Sequence, residues 1–267
     1  MDTNVQNTEK QTRALVIAVS ARAIFHLDQT PTQPPAESEP LPQGTAFSFI
    51  EAVKLVNERL VSQNQKEDLL LNVFLIEKDY GEQQKRIVNS AMHYGLDIEQ
   101  FWFCSEEDFI SSLQENHVSL FLSTDKNDVY SALQHGVPAA VLHHHTDQQQ
   151  PQPLKVVFSG DVIGLSEDTL RNLPHLSFSE SQIEIFKAAK SCIREFAVLL
   201  GEIRRKFERE GGPLCTSLIT VWGNRDVFVN ALRTLREWGL DVDEAFCLAG
   251  APRSLILDHV LPTVFKF

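Results

Sequence analysis

The chain alternates between short apolar runs and longer stretches whose apolar residues recur at helical spacing. The first run is ALVIAVSA (14–21), broken by one serine. An apolar run of strand length predicts a strand buried on both faces, as in a parallel sheet. LLLNVFLIE (69–77), IEQFWFC (98–104), VSLFLST (118–124) and PAAVLHH (138–144) predict further strands. Between them AFSFIEAVKLVNERLV (46–61), QQKRIVNSAMHYG (83–95), EDFISSLQEN (107–116) and NDVYSALQHG (127–136) predict helices, two of them closed by glycine. The alternation restarts with LKVVFSGDVIGL (154–165), a strand running into a turn. A long helical region follows at 182–212, one helix or two, inside an insertion at 180–212. Then come the strand SLITVWG (217–223), the helix DVFVNALRTLREWG (226–239), the strand DEAFCLAG (243–250), the helix SLILDHVL (254–261) and a last strand, TVFKF (263–267). Strands alternating with helices predict an α/β fold, a Rossmann-type parallel sheet with helices on both faces.

Two segments interrupt the pattern. DQTPTQPPAESEPLPQG (28–44) is rich in proline and reads as a loop. HHHTDQQQPQP (143–153) reads as a linker, because adjacent histidines on an irregular loop converge poorly on a metal. The expected organisation is a disordered tail at 1–12, an α/β lobe at 13–145, a linker at 146–153 and a second lobe at 154–267. The two lobes echo each other. HYGLDIEQFWFC (93–104) parallels EWGLDVDEAFC (237–247), and Gly95 and Gly239 stand 144 residues apart (239 − 95). Either an old duplication or two similar strand–helix units would give this echo. Both place a cleft at strand carboxyl ends or between the lobes.

Composition narrows the partners. The 267 residues are enough for one large domain or two small ones, and the net charge is −12. An acidic surface repels phosphate backbones and argues against nucleic acid as a general partner. No stretch approaches the roughly 20 apolar residues that span a bilayer, so no membrane association is expected. The polar start MDTNVQNTEKQTR has no apolar signal core, which points to the cytoplasm. Cys104, Cys192, Cys215 and Cys247 lie among apolar residues without a CxxC pair and are expected to be reduced, buried thiols. Whether the chain forms a homo-oligomer stays open.

The stretch that carries chemistry is KVVFSGDVIGLSED (155–168). A hydrophobic strand ends in F-S-G-D; a second strand ends near Thr220; a third, EAFCLAG, runs into APR with Arg253. Phosphotransferases of the haloacid-dehalogenase type use this order, with DxD on the first strand, a Ser or Thr on the second and a Lys or Arg after the third. In that chemistry the first Asp attacks phosphorus and the second, two residues on, moves the proton. Mg²⁺ offsets the repulsion between carboxylates and phosphate, and the hydroxyl and cation hold the spreading charge.

The chain resembles the cytosolic 5′-nucleotidase type I family from about residue 13 to its last residue. ALVIAVS (14–20), RIVNSAMHYGLDIEQF (86–101), SLFLSTD (119–125), VVFSGDVIGLSED (156–168) and above all ALRTLREWGLDVDEAFCLAGAPR (231–253) carry the resemblance. It implies a haloacid-dehalogenase-like fold and Mg²⁺-dependent release of phosphate from nucleoside monophosphates, AMP especially. It assigns Asp161 to the acid/base and metal position, Thr220 to the phosphate-binding hydroxyl and Arg253 to a position where the family has lysine. Ser159 stands where the family has its nucleophilic Asp. CSEED (104–108) replaces a Thr-Gly-Gly-Asn stretch, and its acids are expected to repel a phosphate. The family's paired late acids begin about where this chain ends at Phe267, so a truncated second lobe is expected. Two functions follow: a 5′-nucleotidase, or a catalytically silent member binding nucleotide or a protein partner. If the enzyme is active, a carboxylate must replace Ser159, and Asp28, Asp79 and Asp125 are the candidates. Taken without the resemblance, Asp161 is also a common turn residue, Thr220 a common strand residue and Arg253 an ordinary solvated charge.

Overall fold

The computed structural model describes residues 15–27, 39–67, 70–78, 81, 83–142, 153–172, 178–207, 212–221, 225–252 and 264–265. Two parallel sheets organise it. In the first, β1 (Leu15–Ser20), β2 (Leu71–Glu77), β3 (Gln100–Phe103), β4 (Leu120–Ser123) and β5 (Ala139–Val141) lie in the order β3-β2-β1-β4-β5. In the second, β6 (Leu154–Ser159), β7 (Leu214–Thr220), β8 (Glu244–Cys247) and β9 (Val264–Phe265) lie in the order β8-β7-β6-β9. All pairings within the two sheets are parallel, and outside them Phe25 and Gln43 form one isolated antiparallel bridge. The apolar runs therefore form strands for the expected reason: β1 and β6 are central and are covered on both faces.

The echo read from the sequence extends to the register. Writing β6 for β1, β7 for β2, β8 for β3 and β9 for β4 turns one strand order into the other. Leu15 pairs with Leu71 and Ser20 with Ile76, while Leu154 pairs with Leu214 and Ser159 with Ile219. Phe74 faces Gln100 as Ser217 faces Glu244, and Ile17 faces Leu120 as Val156 faces Val264. A one-residue slip would turn every side chain of a strand to the opposite face, so matched registers mean matched sets of core positions.

Helices cover the sheets, and the largest apolar cluster is shared by both halves. α1 (Ala21–Ile24), α2 (Phe47–Gln63), α3 (Gln83–His93), α4 (Phe109–Glu115) and α5 (Lys126–Gln134) belong to the first half. α6 (Gly160–Gly164), α7 (Glu167–Arg171), α8 (Glu180–Arg204) and α9 (Arg225–Glu237) belong to the second. A single apolar cluster runs from Leu15 through Phe49 and Val56 to Phe158, Phe196 and Leu240. Phe158 of β6 meets Phe196 of α8 at 6.2 Å between ring centroids. Each fully buried Phe of this kind contributes about 1.5–3 kcal/mol. Gly95 and Gly239, the glycines of the echo, adopt φ +63° and +83° just past α3 and α9, a conformation that favours glycine at helix ends.

Several expectations need correcting. The helical region expected at 182–212 is one 25-residue helix, α8. Ser179 and Gln182 close its start as a reciprocal cap, and Gly201 sits inside it because a Cβ there would lie 2.5 Å from the Gly239 carbonyl oxygen. β7 begins at Leu214, three residues before the expected 217, and ends at Thr220, and the turn after β6 is the short helix α6. The helices α1 and α7 were not expected; at 4 and 5 residues they are too short to show a period. Of the four cysteines Cys104 and Cys192 are buried, but Cys247 is exposed because β8 is an edge strand. The helix expected at 254–261, the linker at 146–152, the three histidines and Arg253 lie outside the described residues.

Candidate functional site

Parallel α/β sheets place ligands at the carboxyl ends of their strands. At that end of the second sheet stand Ser159, the last residue of β6, and Thr220, the last of β7. Asp161 follows in the first turn of α6. All three are nearly solvent-free, at 8%, 0% and 6% exposure for Ser159, Thr220 and Asp161. The structure thus brings together three of the four residues singled out in the sequence.

Gly160 explains how they come so close. A Cβ at position 160 would fall within 3.0 Å of Thr220 Cγ2 and lie 3.1 Å from Leu218 Cδ1. Only glycine lets the β6–α6 turn lie flat against β7. Gly164 does the same against α9, where a Cβ would meet the Val227 carbonyl. Two glycines four residues apart therefore seat α6, and with it Asp161.

Asp161 is held by backbone. Its two carboxylate oxygens accept from the Val221 N–H at 2.9 and 3.2 Å, so the acid caps the first free amide beyond β7. Thr220 turns its methyl toward Gly160, and its hydroxyl donates to the Phe246 carbonyl at 3.4 Å, a long bond. To hold a phosphate oxygen the hydroxyl must leave Phe246. Ser159 caps no helix N–H with its side chain, and among the described residues no acid or imidazole bonds its Oγ. A serine hydroxyl needs a partner base to attack phosphorus at neutral pH.

The resemblance implies magnesium at this strand end. Magnesium demands near-octahedral oxygen ligation and is held through carboxylates. Among the described residues no three His, Cys, Asp or Glu side chains group so as to hold a metal. With serine at 159, Asp161 is the carboxylate of this strand end, and it is engaged with Val221. The described residues thus offer a divalent cation one carboxylate, Asp161, where an Asp at 159 would supply a second.

Of the three carboxylates expected as replacements for Ser159, one, Asp125, lies among the described residues. Asp125 sits beyond β4 of the first sheet and caps α5, accepting from the Asn127 N–H at 2.8 Å. Asp28 and Asp79 lie outside the described residues. Two of the three acids of CSEED are engaged locally. Glu106 pairs with Lys78 at 2.6 Å, and Asp108 accepts from the Ser105 hydroxyl at 2.6 Å. Lys78 is held further by Asp128 at 2.6 Å and stands 4.6 Å from the Phe109 ring centre.

Sequence reasoning missed a second polar place. Glu77, the last residue of β2, is 4% exposed, and its Oε2 has no hydrogen-bond partner among the described residues. Burial, the largest influence, pushes its carboxyl above the usual range against the opposing pull of the Lys78 N–H and Arg22. The signal was present in LLLNVFLIE, where one acid closes an otherwise apolar strand. Two clefts, of about 580 and 320 Å³, lie at the other pole, by the amino ends of β2 and of β4 and β5. They hold none of these residues, and strand topology favours the carboxyl ends.

The matched parallel sheets and the β6–α6 turn with its buried acid define a haloacid-dehalogenase-like, Rossmann-type α/β protein. Within that class the chain belongs to the 5′-nucleotidase family, whose family model matches residues 7–266. It is similar to "Cytosolic 5′-nucleotidase 1B" of Homo sapiens, with 29% identity over 280 aligned positions. The alignment covers 96% of this chain and 46% of that protein, so the chain spans about half the length of the curated relative it matches.

Proposed function

We propose that this chain is a member of the 5′-nucleotidase family that binds nucleoside monophosphates, AMP-like ones among them, and hydrolyses them slowly or not at all. The observation that carries the reading is Ser159. It stands at the end of β6, two residues before Asp161, where the family's chemistry needs a carboxylate that attacks phosphorus. Its neutral hydroxyl has no bonded base among the described residues. In this reading Asp161 keeps the acid/base position, Thr220 offers its hydroxyl to a phosphate oxygen and Arg253 supplies a cation in place of lysine. Loss of the nucleophile lowers phosphoryl transfer by about several powers of ten. Family membership and the name of the human relative support nucleoside monophosphates as ligands and a cytosolic setting. Among the described residues no helix is long and apolar enough to cross a membrane.

The test is phosphate release from AMP with Mg²⁺, measured beside AMP binding, for the unmodified chain and for Ser159→Asp and Asp161→Asn. The expected result is AMP binding without turnover in the unmodified chain and measurable release from Ser159→Asp. Release by the unmodified chain that disappears in Asp161→Asn would mean an active nucleotidase whose attacking group is not residue 159. Absence of AMP binding would sink the reading altogether.

A further inference from the structure

The matched registers place the carboxyl end of the first sheet in the same relation to its strands as the Ser159–Asp161–Thr220 site has to the second. Ser20 ends β1 as Ser159 ends β6; Arg22 follows two residues on, as Asp161 does; Glu77 ends β2 as Thr220 ends β7. The backbone continues the equivalence. The Cys104 N–H donates to the Glu77 carbonyl as the Leu248 N–H donates to that of Thr220. In both halves one carboxylate caps the first amide beyond the second strand. In the second half Asp161 reaches across from α6 to Val221; in the first Glu77 caps its own neighbour, Lys78, at 3.1 Å. The acid has changed strand but kept its place.

The two capping acids differ in what is left over. Glu77 Oε1 takes both the Lys78 N–H and the Arg22 guanidinium, the latter at 3.4 Å, while Oε2 has no partner among the described residues. Buried polar atoms are almost always satisfied, so an orphan of this kind calls for an explanation. One of the two described partners of the carboxyl is backbone. The other is Arg22, whose side chain is 55% exposed.

We propose that the carboxyl end of the first sheet is a second ligand site, in which Glu77 Oε2 bonds a sugar hydroxyl of a ribonucleoside. Three observations select this chemistry. An acid at the end of the second strand of a Rossmann-type sheet is placed to bond ribose hydroxyls. The β1–α1 turn, SARAI, has no glycines to let backbone approach a pyrophosphate, so the phosphate-binding half of a dinucleotide site is missing. A hydroxyl both donates and accepts, and it satisfies a buried carboxyl whether that group is ionised or protonated. A free phosphate is disfavoured, because the buried acid would face it. The site uses none of Ser159, Asp161 and Thr220.

Calorimetric titration of the full chain with adenosine, 2′,3′-dideoxyadenosine and D-ribose tests the proposal. Adenosine is expected to bind and the dideoxy compound to bind at least about tenfold more weakly. Glu77→Met is expected to lose adenosine to the same extent and Glu77→Gln to lose less. D-ribose binding with the same dependence on Glu77 would keep the hydroxyl site and name a free sugar as its occupant. Equal binding of adenosine and its dideoxy form would overturn the proposal. So would adenosine binding untouched by Glu77→Met, or no adenosine binding at all. The comparison of ligands on the unmodified chain stands even if Glu77→Met fails to fold.

Discussion

Gly164→Ala tests how α6 is seated, and its effect can be worked out from the backbone. A Cβ at 164 would lie under 3.0 Å from the carbonyl oxygen of Val227, 2.9 Å from its carbonyl carbon and 3.0 Å from its Cγ1. Two of these three atoms are backbone of α9, so no rotamer change relieves the contact and α6 must move away from α9. Overpacking in a well-packed region costs about 1–3 kcal/mol. A clash between two backbones belongs at the upper end, about 2–3 kcal/mol, less a few tenths regained because alanine favours helix. At about 2–4 °C per kcal/mol for a chain of this size, Tm falls by about 4–12 °C. Thermal unfolding followed by circular dichroism measures it. Gly136→Ala is the companion: φ there is +75° and nothing lies within 4 Å, so the cost is conformational only, about 1–2 kcal/mol. A second substitution, Val227→Ala, removes Cγ1 and leaves the carbonyl. It should not rescue Gly164→Ala. A Tm within 1 °C of the unmodified protein, or full rescue by Val227→Ala, would refute the backbone contact as the reason for glycine.

Other perturbations follow from particular contacts. Asp243 accepts from Arg204 and from the Thr216 N–H at 2.7 Å. Desolvation, the largest influence on Asp243, pushes its carboxyl up, but these bonds together outweigh it and hold the group below the usual range. A depressed pKa gives stability that is complete above the unfolded value of about 3.9 and lost as pH falls through the folded one. Asp243→Asn should therefore lower stability by about 1–2 kcal/mol at pH 7 in denaturant titrations, with the deficit shrinking below about pH 4. Burial pushes the thiols of Cys192 and Cys215 up to about 11, helped by nearby acids, whereas Cys247 is exposed. Mass spectrometry after brief iodoacetamide treatment at pH 8 should find Cys247 modified first and Cys192 and Cys215 only after unfolding.

Much of the fold was legible because parallel strands buried on both faces leave an unmistakable apolar run. Every strand expected between 14 and 144 is present, shortened by a few residues at its ends. Shared register was legible only as the Gly95/Gly239 echo; the partners of Ser20 and Ser159 depend on pairing that no single sequence displays. At the site, the residue types were readable but their engagements were not. The bond from the Val221 N–H to Asp161 is made by a backbone amide and leaves no trace in residue identity. The orientation of Thr220 depends on where β8 places the Phe246 carbonyl. Cys247 misled because apolar neighbours such as Phe246 and Leu248 imply burial, yet β8 lies at the edge of its sheet. Glu77 was passed over because a single acid closing a strand resembles an ordinary strand end.

The way the two sheets meet bears on how the protein stays out of trouble. An unpaired strand edge is a template for another chain, and long flat edges invite aggregation. Two sheets have four edges. Among the described residues β5, which ends the first sheet, lies against β9, which ends the second, so two of the four shield each other. The remaining two, β3 and β8, are only four residues long each. β8 carries an exposed Glu244 at its start, and β3 an exposed Gln100. Doubling a sheet within one chain thus leaves the same number of open edges as a single sheet, and leaves them short and polar at their first residue.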